Sequence, residues 1–191
     1  YKNAPDEVMF ELLNEPTGTL SATAWNDFAA DAIDVIRQSN PERTLVVGPG
    51  NWNSVTSLIE LVLPENDRNL IITFHYYSPF EFTHQGAEWA PSAGAVGKKW
   101  EGTEAEKSRL EIDLDLAATW GRKYRRPIYL GEFGAYSKGD IESRHRWTDF
   151  IARSAEARGF AWAYWEFCAG FGAYDPDAAH WNEPILTALI P

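Results

Sequence analysis

Two glutamates in this chain each follow a short apolar run of strand-like composition. Glu15 comes after the run at residues 8–13, and Glu132 comes after the run at residues 127–131. Two carboxyl groups at one site can divide a hydrolysis between them, since one donates a proton while the other attacks or activates water. Taken alone, either glutamate is better interpreted as an ordinary carboxylate at the end of a strand. Only their joint placement indicates cleavage of a glycosidic bond.

Further polar and aromatic side chains lie at the same kind of position. Asn14 precedes Glu15, His75 and Tyr77 follow the third apolar run, and Trp165 ends the fifth. Functional groups of parallel α/β folds gather where strands end and loops begin, so we expect these side chains to converge at one face. Flat rings suit the apolar faces of sugars, and polar groups hold their hydroxyls.

Strand-like runs alternate with helical spacing along the whole chain. Strands are predicted at residues 8–13, 44–47, 70–74, 127–131 and 160–165, and helices at 25–36, 54–63, 103–124, 140–158 and from 182. Thr103 with Glu106 is typical of a capping box, and Asp140 of a helix cap. Five strand–helix units indicate a parallel sheet, either an open α/β domain or the last five units of an eight-stranded barrel. Both architectures use this building block, so periodicity favours neither.

Composition excludes several classes of partner. The formal net charge is -11 and no basic run occurs, so neither nucleic acid nor an anionic membrane surface is an expected partner. The longest apolar stretches are of strand length, far short of a bilayer span. Cys168 is the single cysteine, which excludes an internal disulfide, and we interpret it as a small packed residue.

The sequence offers little support for metal-dependent hydrolysis or for nucleotide binding. A metal-dependent hydrolase would have to use His75, Glu132 and His84, but the four histidines form no paired motif with metal-ligand spacing. No glycine-rich phosphate loop follows a strand, which disfavours a nucleotide-binding sheet. We therefore predict neither a metal nor a cofactor, and we interpret Glu166 as structural.

Four segments, in order, resemble glycoside hydrolase family 5. Residues 10–16 (Phe-Glu-Leu-Leu-Asn-Glu-Pro) resemble its acid/base signature, and residues 74–77 (Phe-His-Tyr-Tyr) its sixth strand. Residues 128–134 (Ile-Tyr-Leu-Gly-Glu-Phe-Gly) resemble its nucleophile strand, and residues 163–167 (Ala-Tyr-Trp-Glu-Phe) its last strand. The resemblance implies a (β/α)8 TIM barrel represented by roughly its last five units, with residues 1–191 as the C-terminal part of a single catalytic domain.

Two loop segments, residues 82–89 and 167–172, resemble bacterial endoglucanases and glucomannanases of that family. The resemblance implies that His84 and Trp89 would line the substrate cleft. The implied activity is endo-acting cleavage of β-1,4-glucan of the cellulose type, with glucomannan as an additional substrate. The alternative is an inactive barrel fragment that binds polysaccharide through Trp89 and Trp165 or assembles with a partner chain.

The resemblance also implies a retaining double displacement. Glu15 would protonate the glycosidic oxygen and later deprotonate water, and Glu132 would attack the anomeric carbon, with the carboxyl groups about 5 Å apart. Asn14 would bind the sugar 2-hydroxyl, Tyr77 would hydrogen-bond Glu132, and His75 would tune the protonation of Glu15. Trp165 would stack under the sugar at the point of cleavage.

An eight-stranded barrel needs three strand–helix units more than this sequence supplies. We therefore expect unpaired strand edges and exposed core side chains, and an assembly with another copy or with a complementing N-terminal barrel fragment. The family implies secretion, although no signal peptide is apparent at the N-terminus.

Overall fold

The computed structural model describes all residues from Tyr1 to Pro191. Its strands are Phe10–Glu11 (β1), Leu45–Val47 (β2), Leu70–Tyr76 (β3), Ile128–Phe133 (β4), Ala161–Tyr164 (β5), Tyr174–Asp175 (β6) and His180–Trp181 (β7). Its helices are Ala22–Arg37 (α1), Gly50–Asn53 (α2), Phe80–Thr83 (α3), Glu104–Tyr124 (α4), Ile141–Ala157 (α5) and Glu183–Leu189 (α6), with 3-10 turns at Val55–Glu60 and Pro91–Ala93. The strand order is β1-β2-β3-β4-β5 in one sheet and β6-β7 in another.

Contacts divide the chain into two units. The first unit comprises Tyr1–His75 with Leu116–Tyr129, and the second comprises Tyr76–Asp115 with Leu130–Pro191. The prediction of a single catalytic domain over residues 1–191 stays a prediction.

In the first unit, β1, β2 and β3 pair in parallel. Leu45 lies between Phe10 and Leu70 in register, and the backbone N–H of Ile72 donates to the carbonyl of Pro127 at 3.0 Å, just before β4. Helix α1 follows the apolar spacing and buries Trp25, Ala29 and Ile33, whereas Phe28 is exposed. The core of this unit therefore includes one face of α1 and the buried residues of the strands, together with Ala117, Ala118 and Trp120 of α4.

An arginine ties the loop before β3 to the end of α1. The Arg37 guanidinium donates to Asp67 Oδ2 at 2.7 Å and to the carbonyl of Arg43 at 2.7 Å. Burial raises the pKa of Asp67, but the hydrogen bonds from Arg37 and from the N–H of Asn69 outweigh it, so the pKa is lowered overall. The ionised pair thereby fixes where β3 begins.

In the second unit, the end of β4 leads to β5. The N–H of Trp165 donates to the carbonyl of Phe133 at 2.8 Å, and Trp147 of α5 is fully buried with its Nε1 donating to the carbonyl of Ser78 at 3.0 Å. Strands β6 and β7 pair antiparallel, a hairpin that the sequence analysis did not predict. Its two residues per strand leave too short an alternation to be recognised.

The predicted strand–helix order is confirmed, although β1 and β5 are shorter than predicted and β3, β4 and α1 are longer. The prediction of a helix at residues 54–63 is wrong in type, since only the 3-10 turn Val55–Glu60 forms. The capping box is confirmed: the N–H of Thr103 donates to Glu106 Oε2 at 2.8 Å, and the N–H of Glu106 donates to Thr103 Oγ1 at 3.3 Å.

Burial differs between inner and outer strands. Every residue of β2 is buried, as expected for a parallel strand covered on both faces, whereas no residue of β1 or β5 is fully buried. Apolar side chains near these outer strands are exposed, as expected, among them Met9 and Leu13 near β1 and Phe167 after β5. None of the helices combines the length and apolar character that crossing a membrane requires.

Substitution of Asp140 by alanine should lower the free energy of unfolding by about 1 kcal/mol, because its side chain caps α5. Asp140 Oδ1 accepts from the N–H of Ser143 at 3.0 Å. Burial raises the pKa of Asp140, but the hydrogen bonds from Ser143 outweigh it and lower the pKa. Its stabilisation is therefore full above about pH 4 and is lost as the pH falls through the lowered folded pKa.

Urea unfolding of the Asp140→Ala variant at pH 7 and at low pH measures this effect. The Asp140→Ser variant is the matched control, since serine also caps helices and should stay within a few tenths of a kcal/mol of the parent. Equal destabilisation by both substitutions would contradict a capping role.

Candidate active site

Glu15 and His75 lie together in the first unit. Glu15 follows β1 in a left-handed backbone conformation with φ of 49°, and its carboxylate is half-buried. His75 lies in β3 and is 7% exposed, with its Nδ1 at 2.8 Å from Glu15 Oε1. The predicted proximity of His75 to Glu15 is therefore present, while Asn14, which precedes Glu15, is exposed.

The segment after β2 brings side chains close to His75 that the sequence analysis did not single out. Asn51, Trp52 and Asn53 are all left-handed, with φ of 56°, 58° and 54°. Trp52 is 57% exposed, whereas Asn53 is fully buried with its Nδ2 at 3.2 Å from His75 Nε2. The sequence does carry an Asn-Trp-Asn run shortly after the buried strand β2, but residue types alone do not show that these three residues are left-handed.

Tyr77 and Glu132 lie together in the second unit. The Tyr77 hydroxyl donates to Glu132 Oε2 at 2.9 Å, and both side chains are half-buried. A donor to a carboxylate favours its ionised form, which is the form that can act as a nucleophile. The pair is the one that the sequence predicted at this position.

His84 is held in one ring orientation by its neighbour. Thr83 Oγ1 donates to the carbonyl of Tyr77 at 2.6 Å, so towards His84 Nδ1, at 3.0 Å, it can only accept. The neutral ring therefore carries its proton on Nδ1 and leaves Nε2 as the acceptor. The ring stacks on Phe80 with centroids 4.2 Å apart and meets the edge of Tyr77 at 4.9 Å.

The two predicted stacking tryptophans are both accessible. Trp165 is 45% exposed, and Trp89 is 61% exposed with its ring edge against Tyr136 at a centroid distance of 4.9 Å. An indole ring that is roughly half exposed leaves a large apolar area in contact with water. Such rings are typical of surfaces that receive a flat apolar ligand.

Gly134, directly after β4, is required by a close approach of the backbone. A Cβ at this position would lie 2.1 Å from the carbonyl oxygen of Trp165. Any side chain would therefore push the end of β5 away from the end of β4. This packing explains the glycine that follows Glu132 and Phe133 in the sequence.

Glu166 organises the turn that follows β5, which gives its predicted structural role a definite form. Its carboxylate accepts from the N–H groups of Cys168 at 2.9 Å, Ala169 at 2.8 Å and Phe171 at 3.0 Å. The turn places the Phe171 ring 5.4 Å from the His84 ring, centroid to centroid. The interpretation of Cys168 as packed is wrong: it is exposed, and the buried side chain of this turn is Phe171 instead.

The carbonyl of Phe171 anchors the same turn to the unit. It accepts from the Tyr164 hydroxyl at 2.8 Å and from Arg144 Nη2 at 3.2 Å. Burial raises the pKa of Tyr164 to about 12, so its hydroxyl stays protonated and keeps donating.

Comparison with known proteins decides the family. The model of the cellulase family, glycosyl hydrolase family 5, matches residues 1–170. The chain belongs to glycosyl hydrolase family 5. Endoglucanase H of Acetivibrio thermocellus is 34% identical over 190 residues, which is 98% of this chain and 19% of that protein.

Solved structures show the same fold at higher identity. A hyperthermophilic endo-β-1,4-glucanase in complex with substrate is 45% identical with a TM-score of 0.96, over 99% of this chain and 61% of that one. Cel5A of Thermotoga maritima in complex with mannotriose is 44% identical with a TM-score of 0.95, over 100% of this chain and 62% of that one. The prediction of an incomplete (β/α)8 barrel is thereby confirmed, and the chain spans less than two thirds of these relatives.

Replacing Glu166 by alanine should speed amide hydrogen exchange at Cys168, Ala169 and Phe171 by on the order of 10-fold, because these N–H groups lose a charged acceptor. Exchange measured by NMR checks this. Glu88→Ala is the control, since that carboxylate is 92% exposed and Glu166, not Glu88, accepts from these three N–H groups. Unchanged exchange in Glu166→Ala would show that the turn is held by other contacts.

Proposed function

We propose that this chain supplies the catalytic carboxylates of a retaining endo-β-1,4-glucanase. The observation that carries the proposal is that each of the two strand-end glutamates is held by its own donor. Glu15 lies 2.8 Å from a histidine nitrogen, and Glu132 lies 2.9 Å from a tyrosine hydroxyl. Different environments for two carboxyl groups are what separate an acid/base from a nucleophile.

In the proposed first step Glu132 attacks the anomeric carbon, and the glycosidic bond breaks as Glu15 gives its proton to the departing oxygen. In the second step Glu15 takes a proton from water, which displaces Glu132 and releases the sugar with retained configuration. A retaining mechanism requires a carboxyl separation of about 5 Å, which is the separation proposed for Glu15 and Glu132.

The sugar chain is proposed to lie on the exposed indole rings. Trp165 would stack under the sugar at the point of cleavage, and Trp89 would extend the cleft. His84 Nε2 suits acceptance of a hydrogen bond from a sugar hydroxyl, given that its Nδ1 proton faces Thr83. Asn14 would hydrogen-bond the 2-hydroxyl at the cleavage point.

Cellulose-type glucan is the proposed substrate class, and glucomannan is a second one. The names of the relatives support glucan, and the mannotriose complex of the Thermotoga maritima enzyme supports a site of this kind that also accepts mannose units. Secretion is part of the proposal, because a polymer of this size must be met outside the cell.

Exchange of Glu132 for glutamine should abolish hydrolysis of carboxymethyl-cellulose and glucomannan, because the amide cannot form the glycosyl-enzyme. Reducing-end release by the 191-residue chain is measured alone and with an added first-half barrel. Glu142→Gln, an exposed change in α5, is the matched control and should keep full activity. Activity that survives in Glu132→Gln would remove this residue as the nucleophile.

Absence of hydrolysis in both conditions, with retention of the chain on cellulose, would favour the alternative of a fragment that only binds polysaccharide. Hydrolysis that appears only with the added half-barrel would identify this chain as one part of a divided enzyme.

Light scattering should show that the chain alone associates, or that it forms a defined complex with the complementing half. The reason is that apolar side chains beside the outer strands are exposed, among them Met9 and Leu13 near β1 and Phe167 after β5. A soluble, well-folded monomer that ignores the added half would refute this part of the proposal.

A further inference from the structure

Asn53 is fully buried, yet no step of the proposed reaction uses it. It ends a run of three left-handed residues, none of which is glycine. Both features cost free energy, since a buried amide needs a partner and an L-residue disfavours this backbone conformation. Because these features lower the stability of the fold, we looked to the neighbouring Glu15 and His75 for a function of the Asn53 side chain.

The contact with His75 has a defined direction. The Asn53 Nδ2 amide, at 3.2 Å from His75 Nε2, can only donate, so Nε2 accepts. In the neutral ring the proton then lies on Nδ1, which is 2.8 Å from Glu15 Oε1 and donates to it. We propose that Asn53 is a positioning residue that holds His75 in the Nδ1–H tautomer, so that the imidazole donates to the ionised acid/base Glu15.

The tautomer decides whether the contact attracts or repels. With the proton on Nε2, the Nδ1 lone pair and an ionised carboxylate would be two acceptors facing each other at 2.8 Å. With the proton on Nδ1, the ring supports Glu15 as a base, the form required when water is deprotonated. This inference rests on the proposed function of Glu15 and adds the residue that prepares its histidine.

The backbone around Asn53 is built to receive this side chain. Ser54 forms a parallel β-bridge with His75, which places Asn53 beside the ring. A Cβ on residue 48 would lie 2.2 Å from Asn53 Oδ1, so only glycine leaves room for the amide. Gly48 is itself fixed, since its carbonyl accepts from Trp25 Nε1 at 2.9 Å. The glycine after β2 is thus explained by the asparagine five residues later.

The test is ¹⁵N NMR of the imidazole nitrogens of His75 in the labelled protein, assigned with a His75→Gln variant. The parent should show a protonated Nδ1 and an unprotonated Nε2. In Asn53→Asp a carboxylate replaces the donor, so Nε2 should become protonated. Asn51→Asp is the matched control: it adds the same charge in the same left-handed run, but residue 51 is exposed, and the His75 signals should not change.

Asn53→Gly provides a second variant should the buried charge prevent folding, because glycine readily adopts a φ of 54°. It removes the donor without adding charge, and the preference for Nδ1–H should be lost. A parent ring protonated on Nε2, or an Nδ1–H tautomer that survives in both Asn53 variants, would overturn the inference.

Kinetics separate this inference from the proposed function. In the active protein, Asn53→Asp should lower kcat by on the order of 10-fold with little change in KM, because the residue acts through Glu15 and does not contact the sugar. The expected tautomers without any hydrolysis in the parent would leave the inference standing and reject the proposed function.

Discussion

The placement of the proposed catalytic side chains depends on how the backbone leaves the ends of the strands. Glu15 is left-handed four residues after the end of β1, and residues 51–53 are left-handed after β2. For residues other than glycine each such conformation costs roughly 1–2 kcal/mol. Packing and backbone hydrogen bonds must offset that cost, as does the bond from the Trp52 N–H to the carbonyl of Pro16 at 3.3 Å.

Backbone carbonyls then set the direction of the side-chain hydrogen bonds. A carbonyl can only accept a hydrogen bond. The Thr83 hydroxyl donates to the carbonyl of Tyr77, so it must accept from His84. The Tyr164 hydroxyl likewise donates a hydrogen bond to the carbonyl of Phe171. Its raised pKa keeps the hydroxyl protonated and therefore able to donate. Donors and acceptors that are fixed before a substrate arrives need no reorganisation during the reaction, which is the main source of electrostatic catalysis.

The sequence predicts the residues whose identity carries the chemistry, and it fails where backbone geometry gives a residue its role. Glu15, His75, Tyr77 and Glu132 follow strand-like runs, so both the sheet and the short contacts within each unit were predictable. Asn53 was not, because nothing in its neighbours announces three successive left-handed residues.

The turn after β5 shows the same limit. Glu166 was interpreted as structural without a mechanism, because its partners are backbone N–H groups that are identical in every residue. Cys168 was expected to be packed from its residue type alone, but that turn exposes it. Residue types therefore predict what chemistry is available, and the backbone decides which residues are presented for it.

The outer strands constrain what can cover them. β1 and β5 are only partly buried, whereas parallel strands are normally covered on both faces, so an additional layer would remove apolar surface from water. A second copy of the chain brings the same net charge of -11, and the repulsion between like charges opposes that association. Self-association of the chain therefore has to overcome this repulsion, and added salt should make self-association easier because it screens the repulsion.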